Sequence, residues 1–204
     1  MEYFNVIKGD GPLIAAAIHS GHMLRDEIKD KFYLNDSERL KEEDPFTDEF
    51  INFVPTRIIV NSSRFEFDLN RPEDKGVYLT PEDAWGLKIW KEIPSDKMVK
   101  DSLGLYKTFY EQMKIIFSEY VNRYNKIFVY DVHSYNHRRS GPEGTPDDPS
   151  KNPNFNIGTG NIDATYWRDL IDDFINDLQQ FDFGFAKPDI RENIKFKGGY
   201  FSKW

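Results

Sequence analysis

Residues 13–22 have the sequence LIAAAIHSGH, a short apolar run followed at once by two histidines. The run Leu13–Ile18 is continuous and uncharged, which is typical of a strand buried on both faces of a parallel sheet. A second, largely apolar run, Ile127–Val132 (IFVYDV), is followed by His133. Ligands bind outside the carboxyl ends of the strands in open α/β sheets, so these two strand ends are where we expect a functional site.

Two longer helices are predicted from apolar residues that recur every three or four positions. The first, Asp101–Asn125, directly precedes the run Ile127–Val132, as a crossover helix precedes its strand. The second, Asp163–Gln180, has Asp163 as its predicted N-cap. Short helices are predicted at Leu24–Lys31 and Ser37–Glu43. This alternation of helices and strands predicts a three-layer α/β fold with a mixed, largely parallel sheet and helices on both faces.

The remaining segments predict further strands and one loop. Arg57–Val60 is β-branched and predicts a strand, and Arg64–Asn70 alternates so strictly that it predicts a half-buried strand with one polar face. A last strand is predicted in the tail Asn193–Trp204, interrupted at Gly198-Gly199. The proline-rich stretch Ser140–Pro153 predicts a surface loop and is too short for a linker, so we expect one domain over residues 1–204.

The composition of the 204-residue chain excludes several classes of protein. Aromatic residues make up 16% of the chain and predict a packed core, while the net charge of −8 disfavours binding to nucleic acid. The absence of cysteine excludes disulfides, thiolate metal sites and cysteine nucleophiles. No apolar run approaches the roughly 20 residues that cross a bilayer, and the N-terminus does not have the pattern of a signal peptide. We therefore expect a cytoplasmic protein with no membrane partner.

All four histidines fall in two clusters, His19 with His22 and His133 with His137. Imidazoles three positions apart can both reach one metal ion, and a third ligand from the other strand end leaves the fourth tetrahedral position open, as in catalytic zinc sites. Histidines that only make hydrogen bonds fit the same pattern, so both interpretations stay open here. Asp131 lies two positions before His133 on the same strand face and is suited to orient that ring.

Two groups of charged residues complete the set of candidates. Acidic residues are clustered in one short stretch, at Glu42, Glu43, Asp44 and Asp48. Such a run is typical of a solvated face. Arg64 and Arg71 offer planar guanidinium groups that suit carboxylates.

Seven segments in a fixed order make the chain resemble the N-formylglutamate amidohydrolase family, which is related to the zinc carboxypeptidases. The resemblance extends from Ile14 to Trp204. The segments are AAIHSGH at 16–22, EDPFTDEF at 43–50, SRFEFDLNR at 63–71, AWGLKIW at 84–90, DVHSYNHRR at 131–139, NIGTGN at 156–161 and RENIKFKGGYFSKW at 191–204. The resemblance implies a phosphorylase/hydrolase-like fold, Zn²⁺ as cofactor, and hydrolysis of a small N-acyl amino acid, in the first place N-formyl-L-glutamate to formate and glutamate.

The resemblance also implies which residues hold the metal. His19 and His133 correspond to two ligands. His22 stands where the carboxypeptidases have a glutamate as the second ligand, so His22 is implied as a third imidazole ligand, with Asp44 as the alternative.

The implied substrate site comes from two segments. Asn70-Arg71 is similar to the pair that holds a terminal carboxylate in the carboxypeptidases, and Arg64 and Asp68 support or extend that pocket. Ser134, next to the implied ligand His133, completes the set of expected substrate-binding residues.

The resemblance places the general base, a glutamate, after the segment that matches FKGGYFSKW. We therefore expect the catalytic base beyond Trp204 and a C-terminal segment that the chain lacks. Within the chain, Glu66 and Glu192 are the nearby alternatives. If neither serves, the alternative function is a non-catalytic domain that binds a metal and a carboxylate.

Overall fold

The computed structural model describes residues 2–138, 143–184 and 187–204, and divides the chain into two units, Met1–Tyr135 and Asn136–Trp204. Arg139 and the start of the predicted proline-rich loop lie outside the described residues. No helix in the described ranges is both long enough and apolar enough to span a membrane. The expectation of one domain over residues 1–204 stays a prediction.

A four-stranded sheet forms the centre of the first unit. Its strands are β1 (Phe4–Ile7), β2 (Leu13–Ala17), β3 (Thr56–Val60) and β4 (Phe128–Asp131), in the spatial order β1-β3-β2-β4. β1 is antiparallel to β3, whereas β2 is parallel to both of its neighbours, β3 and β4. The prediction of a mixed, largely parallel sheet is thus confirmed, and the strands predicted around β2, β3 and β4 are present.

β2 is one of the two internal strands, and its residues tolerate packing on both sides. Ile14, Ala15, Ala16 and Ala17 are each at most 1% exposed. Ala16 pairs with Ile58 on β3 and with Asp131 on β4, and three small side chains in succession let helices approach both faces. The carboxyl ends of β2 and β4 consequently lie side by side.

A long helix, α4 (Asp96–Tyr124), covers one face of this sheet. Its N-cap is Ser95, whose hydroxyl accepts a hydrogen bond from the Met98 amide, and the helix therefore starts five residues before the predicted Asp101. The Phe109 ring packs against Phe4 of β1 with centroids 5.2 Å apart. At the other end of β3, the Thr56 hydroxyl donates to the Tyr120 hydroxyl of the same helix at 3.0 Å.

Short helices lie between β2 and β3. They are α1 (Asp26–Lys29), α2 (Asp36–Leu40) and α3 (Thr47–Phe50), the first two being shorter than predicted. Ile51 and Val54, which follow α3, pack against Ala15 and Ala17 on the face opposite to α4. Helical segments therefore cover both faces of the sheet, as expected.

The strand predicted at Arg64–Asn70 is wrong, because this segment forms turns. Its alternation suggested one polar face in solvent, but Glu66 and Asp68 are as fully buried as Phe65. Glu66 forms an ion pair with Arg25, and Asp68 has three side-chain partners of its own. The five residues 65–69 are thus buried whether polar or apolar, which is not the pattern of the half-buried strand that the alternation predicted.

The second unit contains a two-stranded parallel sheet of β5 (Phe155–Ile157) and β6 (Ile190–Glu192). It also contains the helices α5 (Arg168–Gln180) and α6 (Tyr200–Lys203). α5 starts later than predicted, because the Asp163 carboxylate accepts the amides of the turn before the helix rather than those of the helix itself.

The strand predicted in the tail is also wrong. After β6 the chain turns at Asn193 (φ 57°) and again at Gly198 (φ 130°), and then forms α6. Positive φ values at these two positions are incompatible with a continuous strand.

Candidate metal centre

Three side chains from separate segments of the first unit converge at the carboxyl edge of the sheet. His19 follows β2, His133 follows β4, and Asp44 lies in the loop before α3. One potential ligand atom from each lies within 4.8 Å of the other two. The imidazole centroids of His19 and His133 are 4.9 Å apart, so the expected convergence of the two strand ends is confirmed.

Asp44 occupies the centre of this group. Its amide donates to the His19 carbonyl at 3.0 Å, which ties the acidic loop to the end of β2. Its Oδ2 lies 2.7 Å from Nδ1 of His133 and 3.6 Å from Nδ1 of His19. Two imidazole nitrogens and one carboxylate oxygen thus face one another.

Asp68 fixes the orientation of His19 from the other side. Oδ1 of Asp68 lies 2.8 Å from Nε2 of His19, and its Oδ2 accepts hydrogen bonds from Arg64, at 2.8 Å, and from the Tyr78 hydroxyl. Because an ionised carboxylate can only accept, Nε2 of His19 carries the proton, and Nδ1 presents its lone pair to Asp44.

One unpaired nitrogen atom in this group is the observation that fits a metal ion. Nδ1 of His19 faces Asp44 and is buried without a hydrogen-bond partner. The outer nitrogen of the His133 ring, Nε2, lies 3.1 Å from Oδ1 of Asp131, which leaves Nδ1 of that ring toward Asp44. Buried polar atoms are rarely left unpaired in proteins. Two imidazoles and one carboxylate are the protein ligands of many zinc sites that keep one position open.

The electrostatics of the group favour a cation. Burial raises the pKa of Asp44, but the neighbouring His133 and His19 side chains outweigh burial and hold that pKa well below its usual range. Burial likewise opposes the ionisation of Asp68, yet Arg64 and His19 keep its pKa low. For His133, burial lowers the pKa, but Asp131 and then Asp44 raise it to about 10. The carboxylates are thus ionised around the two rings.

His22 lies outside this group of three. Its Nδ1 is 2.5 Å from Oε2 of Glu43, and its Nε2 is 3.0 Å from a guanidinium nitrogen of Arg39. Because Arg39 can only donate, Nε2 of His22 accepts and Nδ1 carries the proton, so both ring nitrogens have partners. Of the two alternatives for the second ligand, the structure brings Asp44 to His19 and His133.

The interpretation of the acidic run as a solvated face is wrong for its central residues. Glu43 and Asp44 are each 4% exposed. Glu43 accepts hydrogen bonds from the Ser63 hydroxyl and, at 3.3 Å, from Arg39. The run itself carries no signal of this burial, because the partners come from distant segments of the chain.

The expected substrate-binding residues are close to Asp68. Arg64 bonds to it directly, and Nε of Arg64 is buried without a hydrogen-bond partner. The amide of Asn70 donates to Oδ1 of Asp68 at 2.7 Å. The guanidinium of Arg71 lies 4.5 Å from the centroid of the Tyr78 ring, whose hydroxyl contacts Asp68. The role of Tyr78 as the contact between these residues was not predicted.

Two further predicted residues lie beyond these contacts. Ser134 directly follows His133 and is partly buried. His137 is exposed, and its carbonyl accepts a hydrogen bond from the Asp147 amide at 2.7 Å.

The two alternative general bases are held by other partners. Glu66 is fully buried and bound by the Arg25 side chain, and it also accepts the Arg25 amide at 2.8 Å. In the second unit, Glu192 accepts the Thr159 hydroxyl and lies 3.1 Å from the guanidinium of Arg168. Both carboxylates are therefore engaged in ion pairs that stabilise the fold.

Comparison with known proteins places this site in context. A family model described as N-formylglutamate amidohydrolase matches residues 11–203. The fold is similar to the crystal structure of an N-formylglutamate amidohydrolase from Ralstonia eutropha, with 14% identity, a TM-score of 0.70, and coverage of 96% of this chain and 77% of the other. It is also similar to a gene product of Agrobacterium tumefaciens, with 16% identity, a TM-score of 0.66, and coverage of 96% and 75%. A search of curated proteins finds no significant match.

Proposed function

The chain belongs to the N-formylglutamate amidohydrolase family, and from this premise we propose that it is a metal-dependent hydrolase that converts N-formyl-L-glutamate to formate and L-glutamate. The observation that carries the proposal is the convergence of His19, Asp44 and His133 within 4.8 Å at the carboxyl edge of the sheet. Ligand sites in open α/β sheets lie at this edge.

We assign His19, Asp44 and His133 as the protein ligands of a Zn²⁺ ion. When bound, zinc supplies a Lewis acid for the formyl carbonyl and lowers the pKa of a coordinated water to about 7. The chain's own contribution is to orient the donors. Asp68 keeps Nδ1 of His19 free of a proton, and Asp131 lies against the outer nitrogen of the His133 ring.

The substrate's carboxylates are assigned to the residues around Asp68. Arg71, with Asn70 beside it, supplies a guanidinium for one carboxylate, and Arg64 keeps a buried Nε–H without a hydrogen-bond partner. Asp68 holds Arg64 through an ion pair of 2.8 Å, so that this donor is fixed before substrate binds. The Ser134 hydroxyl, next to the ligand His133, completes the set.

A second candidate function is a non-catalytic domain that binds a metal and a carboxylate. It is favoured by one observation, namely that Glu66 and Glu192 are both engaged in ion pairs rather than available as a base. The two functions share the metal site and differ only in turnover.

The deciding experiment measures zinc content and formate release on the same preparations. We expect one zinc per chain, formate from N-formyl-L-glutamate, and loss of both in His19→Ala and His133→Ala. His137→Ala is the matched control, because His137 is exposed and lies outside the ligand group, and it should keep both properties. Zinc binding without formate release would support the non-catalytic domain, whereas zinc retained by His19→Ala would contradict the ligand assignment.

A further inference from the structure

Trp85 is a large aromatic residue in an unusual place. It ends a 3-10 helix (Pro81–Ala84) with φ 43° and ψ 34°, and 45% of the residue is exposed. A non-glycine residue in the left-handed region costs free energy, and such strain is concentrated at functional sites. The partly exposed ring of Trp85 therefore calls for a physical reason.

Several contacts hold the indole in this position. Its N–H donates to Oε2 of Glu42 at 3.2 Å, and the guanidinium of Arg64 lies 5.2 Å from the ring centroid. The Tyr78 ring packs against the indole in a T-shaped arrangement with centroids 5.8 Å apart. Arg71 donates to the Asp83 carbonyl at 2.6 Å, which fixes the turn that carries Trp85.

All of these contacts belong to the proposed active site. Glu42 lies two positions before the proposed ligand Asp44, and Arg64 is linked through Asp68 to the ligand His19 by bonds of 2.8 Å each. Arg64 and Arg71 each lie over one of two aromatic rings, Trp85 and Tyr78, that pack against each other. The guanidinium groups of Arg64 and Arg71 can thus donate to carboxylates. The exposed part of the indole offers an apolar surface beside them.

We propose that Trp85 is the residue that determines the side-chain length of the acid this site accepts. A substrate whose carboxylate binds to Arg64 lays its methylene groups against the exposed indole surface, as apolar stems of charged groups do on aromatic rings. An amino acid without side-chain methylenes gains no binding free energy from this surface. The inference rests on the proposed function, because it concerns the same site.

The test compares Trp85→Ala, Trp85→Phe and wild type on the N-formyl derivatives of glutamate, aspartate and glycine. Alanine keeps a Cβ at the strained backbone position, so the substitution removes the ring without relieving the strain. We expect kcat/KM for the glutamate derivative to fall about tenfold through KM, within the 10–200-fold range typical of a methylene group in an apolar pocket. The aspartate derivative, with one side-chain methylene instead of two, should fall less than the glutamate derivative, and the glycine derivative should change less than about threefold. Trp85→Phe should recover most of the loss.

Tyr33→Ala is the matched control. Tyr33 is also an exposed aromatic residue with a cation over its ring, since Lys88 lies 4.7 Å from its centroid. Within the described part of the chain, no hydrogen bond or ring contact joins its side chain to Trp85, Tyr78 or Arg64. This variant should leave the glutamate-to-glycine ratio unchanged. An unchanged ratio in Trp85→Ala, or an equal fall in Tyr33→Ala, would overturn the proposal.

A calorimetric measurement separates this inference from the proposed function. L-Glutamate, L-aspartate and glycine are titrated into the zinc-loaded wild type and the Trp85→Ala variant, which requires no turnover. Preference for glutamate over aspartate that disappears in Trp85→Ala supports the inference even if no formate is released. Formate release with a length preference that does not depend on Trp85, or a wild type that binds glutamate no better than aspartate, overturns it.

Discussion

The two carboxylate oxygens of Asp68 bind different groups of neighbours. Oδ1 lies against the His19 ring and accepts the Asn70 amide, and Oδ2 accepts Arg64 and the Tyr78 hydroxyl, while the residue itself is fully buried. A buried carboxylate stays ionised only because its partners are charged groups or strong hydrogen-bond donors. Removing the charge of Asp68 should therefore affect both the proposed metal ligand His19 and the proposed substrate-binding residue Arg64.

We predict that Asp68→Asn lowers zinc affinity about 10–100-fold, the usual effect of losing the partner that orients a metal-binding histidine. The variant should also lose up to about 3 kcal/mol of unfolding free energy, because Arg64, whose side chain is only 17% exposed, loses its counter-ion. Zinc titration and urea denaturation measure the two effects.

Asp36→Asn is the control for this prediction. Asp36 also pairs with an arginine, Arg39 at 2.8 Å, but its side chain is 88% exposed. Surface pairs contribute little, so both zinc affinity and stability should stay near wild type. Equal effects of the two substitutions would contradict the role assigned to Asp68.

At this scale the sequence predicted part of the site. His19 and His133 each follow an apolar run, and this local pattern was enough to predict that the two side chains lie close together. The choice between His22 and Asp44 could not be made from spacing, because it depends on how the acidic loop folds back onto the His19 carbonyl. Contacts between distant segments leave no periodic signal in either segment.

The helix α4 packs on the sheet and also binds, through tyrosine hydroxyls, the turn that carries Asn70 and Arg71. Tyr106 donates to the Arg71 carbonyl at 2.8 Å, and Tyr110 donates to the Leu69 carbonyl at 2.5 Å. The turn that carries the proposed carboxylate-binding residues is therefore fixed by a rigid element. The helix was predicted from its apolar periodicity, whereas these polar contacts were not, because a tyrosine on the buried stripe fits core packing equally well.

We predict that Tyr106→Phe raises KM for N-formyl-L-glutamate about 3–10-fold while zinc content stays unchanged. The reason is that loss of one hydrogen bond, worth about 1 kcal/mol, frees the backbone of Arg71 without touching the metal ligands. Steady-state kinetics and metal analysis give the two readouts.

Tyr124→Phe provides the comparison on the same helix. The Tyr124 hydroxyl accepts the Gly11 amide at 2.8 Å, so this variant also loses one hydrogen bond, but at the opposite end of the sheet. A similar rise in KM for both variants would indicate a general loss of stability and would contradict a specific role of Tyr106 in positioning Arg71.

For the whole molecule, the proposed metal connects three distant parts of the first unit. The ligands come from the ends of β2 and β4 and from the loop before α3. Alternation of helices and strands was enough to predict the fold class, because it reflects the general rule for covering a parallel sheet. The turns at 64–70 and the tail were missed, because their backbone is set by buried charge pairs and positive φ values.

We predict that zinc raises the melting temperature of the full chain. An ion bound only to the folded state adds about 2.7 kcal/mol at a free concentration of 100 times Kd and about 4.1 kcal/mol at 1,000 times Kd. For a chain of this size, that corresponds to a shift of roughly 5–15 °C. Scanning calorimetry with zinc and with a chelator measures the shift, which should vanish in His19→Ala and persist in His137→Ala.

The shift should also grow with pH, because a proton competes with the metal at His133. Burial lowers the pKa of this imidazole, but Asp131 and Asp44 outweigh burial and raise it from 6.5 to about 10 in the metal-free protein. Since the folded-state pKa is the higher one, the charged ring stabilises the metal-free fold fully below pH 6.5, and this contribution is lost as the pH rises through about 10. Zinc displaces that proton, so its affinity should rise by up to about tenfold per pH unit between pH 7 and 9. A zinc-induced shift that stays constant from pH 7 to 9 would contradict the assignment of His133 as a ligand.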